Sequence, residues 1–111
     1  MAYKTSIAEL SSLLTTPYSH LELGQVNDHA AYVMNFKNVY PMHRHIMDEL
    51  YLVLEGEITI RFKNEAAPIT LRKGESTVVR AYTTHSSESL EGALVLMVKP
   101  KEMFPHPSEV E

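Results

Sequence analysis

No cysteine and no tryptophan occur among the 111 residues. The first absence excludes disulfides, thiolate metal sites and cysteine nucleophiles, and it removes one mark of a small secreted scaffold. Glycine is scarce as well, with four residues, and none of them builds a glycine-rich loop of the kind that cradles phosphate. No serine sits in a nucleophile elbow. Basic blocks are missing too: the ten lysines and arginines are scattered and the net charge is -4, a balance that argues against nucleic acid as a partner. The longest apolar runs, residues 50–54 and 93–98, are strand length, far short of the roughly 20 residues a membrane helix needs. Residues 1–16 lack the apolar centre of a secretory leader. A cytoplasmic protein with no membrane and no nucleic-acid partner is expected.

What is present suits one globular domain, with 44% hydrophobic and 22% charged residues. The only strong helix signal lies near the start. Ser6 and Glu9 stand at capping-box spacing, and Ile7, Leu10, Leu13 and Leu14 follow at helical intervals until Pro17. A short N-terminal helix over about residues 6–15 is expected. From residue 19 the pattern changes to short strands broken by turn residues. They fall at residues 20–26, 30–37, 39–45, 49–54, 57–63, 69–71, 76–81, 84–90 and 93–99. Eight or nine short strands of this kind make an all-β sandwich or barrel, with a core at about residues 20–99. The proline-rich, acidic residues 104–111 read as a loose tail.

One strand carries an unusual demand. Glu49, Tyr51 and Val53 share one face by alternation, and Leu50, Leu52 and Leu54 share the other. If the first face lines the interior, the three leucines point outward and need a cover. Either the N-terminal helix or a second copy of the chain supplies it, and a homodimer is expected.

The chemistry concentrates in the residues just before that strand. His43 and His45 stand two apart, so on a strand their imidazoles aim at one point. A turn through residues 46–48 brings Glu49 to the same point. Two nitrogens and a carboxylate oxygen converging in this way suit a metal ion. Tyr51, on the face of Glu49, should enter the cavity and either bind substrate or fill space. Tyr40, Met42 and Met47 are expected to supply pocket wall. His20, His29 and His106 have no partner at ligand spacing and read as surface residues.

The stretch His43-x-His45-x-x-x-Glu49, followed after six residues by Gly56, resembles the first motif of the small single-domain cupins. Gly74 and, eleven residues later, His85 fall where the second motif has a glycine and a histidine. The resemblance covers about residues 33–99. It implies a double-stranded β-helix, or jelly-roll barrel, in which His43, His45, Glu49 and His85 hold one divalent transition metal ion. Iron, manganese, nickel, zinc, cobalt and copper all accept such ligands. It also implies either an enzyme or a binder of a small molecule. The enzyme would carry out dioxygenase-like oxidation, or isomerase or lyase chemistry, on a small organic substrate. The alternative is a non-catalytic ligand binder or sensor using the same metal-centred pocket. The sequence departs from the motifs at Lys37, where a glycine is usual, and at Arg80, Tyr82 and Ser89, where proline, glycine and asparagine are usual. The turn before His85 is therefore expected to be reshaped. Arg80, near the mouth, is a candidate to bind an anionic substrate through its guanidinium fork.

Overall fold

A computed structural model of the chain describes residues 4–65 and 67–101. It is built almost wholly from antiparallel strands. One helix, α1 (Ile7–Ser11), precedes β1 (His20–Val26), β2 (His29–His43), β3 (Glu49–Glu55), β4 (Glu57–Phe62), β5 (Ile69–Arg72), β6 (Ser76–Val79) and β7 (His85–Pro100). The expected tail at residues 104–111 lies outside the described residues, as does His106. Among the described residues no helix is long and apolar enough to cross a membrane.

Two long strands set the architecture. The residues expected to form four strands form only two, β2 and β7, which pair along most of their lengths from His29↔Pro100 to His43↔His85. The pairing slips between Phe36 and Asn38, opposite residues 89–93. There Asn38 takes a φ of 66° and Gly92 a φ of 97°. An irregularity of this kind bends a strand pair without breaking it. On one side of the bend the order is β1-β2-β7-β3-β6; on the other, β7 pairs with β4, and β4 with β5. The pair thus passes from one sheet to the next and closes the jelly roll.

The two inner faces meet in a core that includes Phe36, Tyr51, Val53, Ile58, Ile60 and Val95. Alternation explains the selection: in β4, Ile58 and Ile60 are fully buried while Glu57 and Arg61 are exposed. Each fully buried aliphatic side chain of this size contributes roughly 1.5–3 kcal/mol. β3 behaves as the alternation requires. Glu49, Tyr51 and Val53 are buried, while Leu50, Leu52 and Leu54 are half-buried on the outer face.

The helix is shorter than the apolar spacing suggests. Ser6 caps it, accepting from the Glu9 amide at 3.4 Å. It stops at Ser11 because the Ser11 and Ser12 hydroxyls donate back to the Ala8 and Glu9 carbonyls at 3.0 and 2.7 Å. Such side-chain competition with the backbone is why serine is weak inside helices. Asn35 of β2 then holds the chain by donating to the Leu14 and Thr16 carbonyls.

The β3–β4 turn depends on Gly56. Its φ is 84°, and a Cβ placed there would sit 2.5 Å from the Gly92 carbonyl oxygen. Gly56→Ala is expected to destabilise the protein by at least about 2 kcal/mol, from left-handed strain plus a backbone clash. Urea unfolding of the variant against wild type measures the loss, and an unchanged midpoint would contradict this account of the turn.

Candidate metal centre

The four residues picked out by spacing and resemblance come from four places in the fold. His43 ends β2 and His85 begins β7, and the two are direct partners across that ladder. His45 lies in the loop after β2, not on the strand, and Glu49 opens β3. All four are buried, Glu49 and His85 to 1% and 0% exposure. One donor atom from each lies within 4.8 Å of all the others. His43 stands with its ring centroid 4.7 Å from that of His45 and 4.4 Å from that of His85.

The hydrogen bonds fix which nitrogens face the centre. His43 Nδ1 lies 2.8 Å from the Pro41 carbonyl oxygen, and His85 Nδ1 lies 2.8 Å from that of Thr83. A carbonyl only accepts, so each Nδ1 carries the proton and each Nε2 is left with its lone pair. This second contact is what a metal-ligating imidazole needs. Backbone carbonyls provide it, rather than the side chains of the neighbouring serines and threonines. His45 differs: both of its ring nitrogens are buried without a hydrogen bond, as is Glu49 Oε2. His45 Nδ1 does come within 3.3 Å of Glu49 Oε1, close enough for an ion pair but not aligned as a hydrogen bond. Buried polar atoms left unpaired are costly. A divalent cation would accept a lone pair from one ring nitrogen of His45 and from Glu49 Oε2, leaving the other ring nitrogen to carry the proton, so the donor set fits a metal ion. Three imidazoles and one carboxylate suit several first-row metals alike.

Electrostatics prepare the same state. Burial, ahead of repulsion from the neighbouring histidines and Lys99, lowers His45 to about 3. Burial likewise lowers His85 to about 4, and it lowers His43 as well. The imidazoles are thus neutral, the form that ligates metal. Burial raises Glu49, although Tyr51 opposes this by donating to Glu49 Oε1 at 2.5 Å.

A cavity of about 200 Å³ opens beside these residues, bordered by His43, His45 and Tyr51 at the centre and by Tyr18, Met34, Phe36, Tyr40, Ser87 and Met97 around it. Tyr51 enters the cavity, with its hydroxyl also 3.4 Å from His85 Nε2. Tyr40 forms wall as expected, but Met42 and Met47 do not; Met34 and Met97 take that place. Met47 is half exposed in the loop that carries His45. Arg80 does not border the cavity either. It is exposed and pairs with Asp48 at 3.1 Å. His29 is at the surface, whereas His20, though exposed, reaches the cavity rim.

The residue that sequence reasoning missed is Lys99. It is 1% exposed, borders the cavity, and places its ammonium 5.4 Å from the ring centroid of Tyr32. Burial lowers it to about 8, with Glu49 opposing, so it stays mainly cationic at neutral pH. A signal was available: Ala93, Val95, Met97 and Lys99 alternate along β7, and the first three are plainly inward residues.

The turn before His85 keeps a left-handed residue. Tyr82 has a φ of 61° where the motif has its glycine. This is a conformation that a bulky side chain rarely adopts. Tyr82 donates its amide to the His45 carbonyl at 2.8 Å, and Ala81 donates its amide to Asp48 Oδ1 at 2.7 Å.

The chain belongs to the cupin domain family, whose sequence profile matches residues 32–99. It is 27% identical over 103 residues, covering 92% of this chain and 90% of the relative, to the uncharacterised protein YdbB of Bacillus subtilis (strain 168). A cupin-2 domain protein from Shewanella frigidimarina has the same fold, with a TM-score of 0.81, 23% identity, and coverage of 87% of this chain and 94% of that one. Hydroquinone 1,2-dioxygenase PnpCD, solved with Cd2+ and 4-hydroxybenzonitrile, superposes with a TM-score of 0.75 at 16% identity, over 86% of this chain and 71% of that one. At these identities the structural likenesses bear on the fold alone.

The lowered histidines have a measurable consequence for the metal-free protein. Unfolded, they titrate near 6.5; folded, His45 and His85 resist protonation down to about 3 and about 4. The stability they lend is present above pH 6.5 and is lost as pH falls from there toward their folded values. Glu49, being raised, works in the opposite direction, but as one group against several. Chelator-treated protein is expected to lose roughly 1 kcal/mol per histidine between pH 7.5 and 5.5. Urea unfolding at the two pH values tests this, and His85→Gln should flatten the difference.

Proposed function

We propose that this protein is a metal-dependent enzyme acting on a small organic substrate held in the cavity. Dioxygenase-like oxidation is the favoured reaction, ahead of isomerase or lyase chemistry. The observation that carries the reading is the set of unpaired, buried ligand atoms of His45 and Glu49 beside an open cavity of about 200 Å³. One divalent ion held by His43, His45, Glu49 and His85 would polarise a bound substrate and, if redox-active, accept or donate electrons. The chain's own residues then have distinct tasks. The Pro41 and Thr83 carbonyls orient two imidazoles. Tyr51 steadies Glu49 by donating its one O–H to the carboxylate, which leaves the phenol oxygen to accept from a substrate donor. Tyr18, Phe36 and Tyr40 form an apolar wall that excludes water, and their rings pack 4.9–5.0 Å apart around Tyr18.

Elemental analysis of the purified protein is expected to find close to one transition metal per chain. His45→Ala and His85→Ala should each lose most of it, and unchanged occupancy in both variants would refute the reading. Oxygen uptake over a panel of small phenols, diketones and thiols separates the reactions. Uptake with iron or copper bound supports the oxygenase. A redox-silent metal, with ligand retained and no turnover, supports the non-catalytic binder.

We also propose that the outer sheet face pairs with a second copy of the chain. Leu50 lies beside Val98 and Val78, and Leu52 beside Leu96. All are half-buried or exposed, an apolar patch that favours association. Wild type should sediment as a dimer and Leu52→Glu as a monomer; a monomeric wild type would exclude the pairing.

A further inference from the structure

Glu49 and Lys99 are each 1% exposed, so one acidic and one basic side chain lie together inside the barrel. The strand pairing says how close they come. β3 meets β7 at Leu50↔Val98 and Tyr51↔Met97. One further step of the same antiparallel register sets Glu49 opposite Lys99, on the inner face that Tyr51 and Met97 share. Side chains directly opposite on one face have Cβ atoms roughly 4.5–5.5 Å apart. Lys99 also borders the cavity together with His43 and His45. Its charge therefore belongs to the metal centre itself. Behind burial, that charge contributes to the shifts of three of the four ligands: it draws Glu49 back down and pushes His43 and His45 further down.

A carboxylate taken out of water needs a countercharge. Lys99 provides one from within the chain, steadied by the Tyr32 ring 5.4 Å from its ammonium. The same ammonium opposes any cation brought to that carboxylate. The repulsion is strong where water is excluded, and it grows with the charge of the cation. The centre thus combines a strong set of donor atoms with a fixed charge that works against them.

We propose that Lys99 is the resident counter-cation of Glu49 and sets the charge that the metal centre accepts. It steadies the carboxylate in the metal-free protein. It holds a dication less tightly than the four ligands alone would, and it disfavours a trication most, so that a redox-active ion is kept divalent. This rests on the reading of His43, His45, Glu49 and His85 as metal ligands. Lys99 acts through Glu49 and through space, and is a positioning residue.

Zinc affinity, measured at pH 7 by competition with a chromogenic chelator, tests the proposal. Lys99→Met is expected to bind zinc at least about tenfold more tightly than wild type, and Lys99→Arg like wild type. A residue that merely supported the fold would loosen the site when lost, so the direction of the change separates the two roles. In iron-loaded protein, Lys99→Met should favour the ferric state, formed by loss of one electron to a redox mediator, about tenfold more, a fall in midpoint potential of about 59 mV. In chelator-treated protein, urea unfolding of Glu49→Gln, Lys99→Met and the double variant should be non-additive, with the double variant at least about tenfold better folded than the two single losses multiply to. Unchanged or weaker zinc binding by Lys99→Met, an unmoved potential, or an additive cycle overturns the proposal. If Lys99→Met does not fold, wild type decides: the Lys99 Cε resonance of lysine-labelled protein should move when zinc is added, and an unmoved resonance overturns the proposal. Wild type that takes up no zinc, with a non-additive cycle, upholds the Glu49–Lys99 pair and refutes the metal enzyme. Zinc held equally by wild type and Lys99→Met does the reverse.

Discussion

The antiparallel pairing of β2 with β7 is the constraint on which the rest depends. It runs through both sheets, and its far end sets His43 directly opposite His85. Two ligands from residues 42 positions apart in sequence are therefore brought face to face by the strand pairing. A one-residue slip would turn one of the imidazoles to the opposite face. The bend at Asn38 and Gly92 takes up one register change, and a second irregularity between Tyr40 and His43 lies just before the paired histidines.

Around that pair the interior is arranged against charge on the imidazoles. Burial keeps the histidines neutral and pushes Glu49 toward its protonated form. Uncharged imidazoles avoid much of the cost of desolvated charge. Lys99 departs from this tendency by remaining cationic in the same interior, with an aromatic face beside it. The cavity wall thus combines imidazoles and one ammonium with aromatic and thioether side chains.

Much of this was legible in the sequence, for identifiable reasons. Spacing brought His43, His45 and Glu49 together, although strand alternation does not aim His45, which lies in the loop after β2. His85 needed the family resemblance, since nothing local marks its partner 42 residues earlier. The strands were visible through alternation, but their continuity was not. A bulge at Asn38 looks like a break when only hydropathy is read. Lys99 was overlooked because a lysine at a strand end is ordinarily solvated, whereas here the strand continues one residue further into the barrel. Arg80 holds a motif position near the mouth that suggests anion binding. Asp48 claims it at the surface, a pairing between residues too distant in sequence for local pattern to reveal.

Asp48 itself is not one of the ligand cluster, yet it ties the two loops that frame it. Its carboxylate accepts from the Ala81 amide and from Arg80, while Tyr82 donates across to the carbonyl of His45. The left-handed Tyr82 is held by this lacing. Loops joined in this way open together, as one local unfolding unit. The residence time of an ion in the centre would then be governed by the fraying of a surface clasp as well as by the strength of four coordinate bonds. Exchange kinetics and affinity would be under the control of different residues, and the first could drift through evolution while the second stayed fixed.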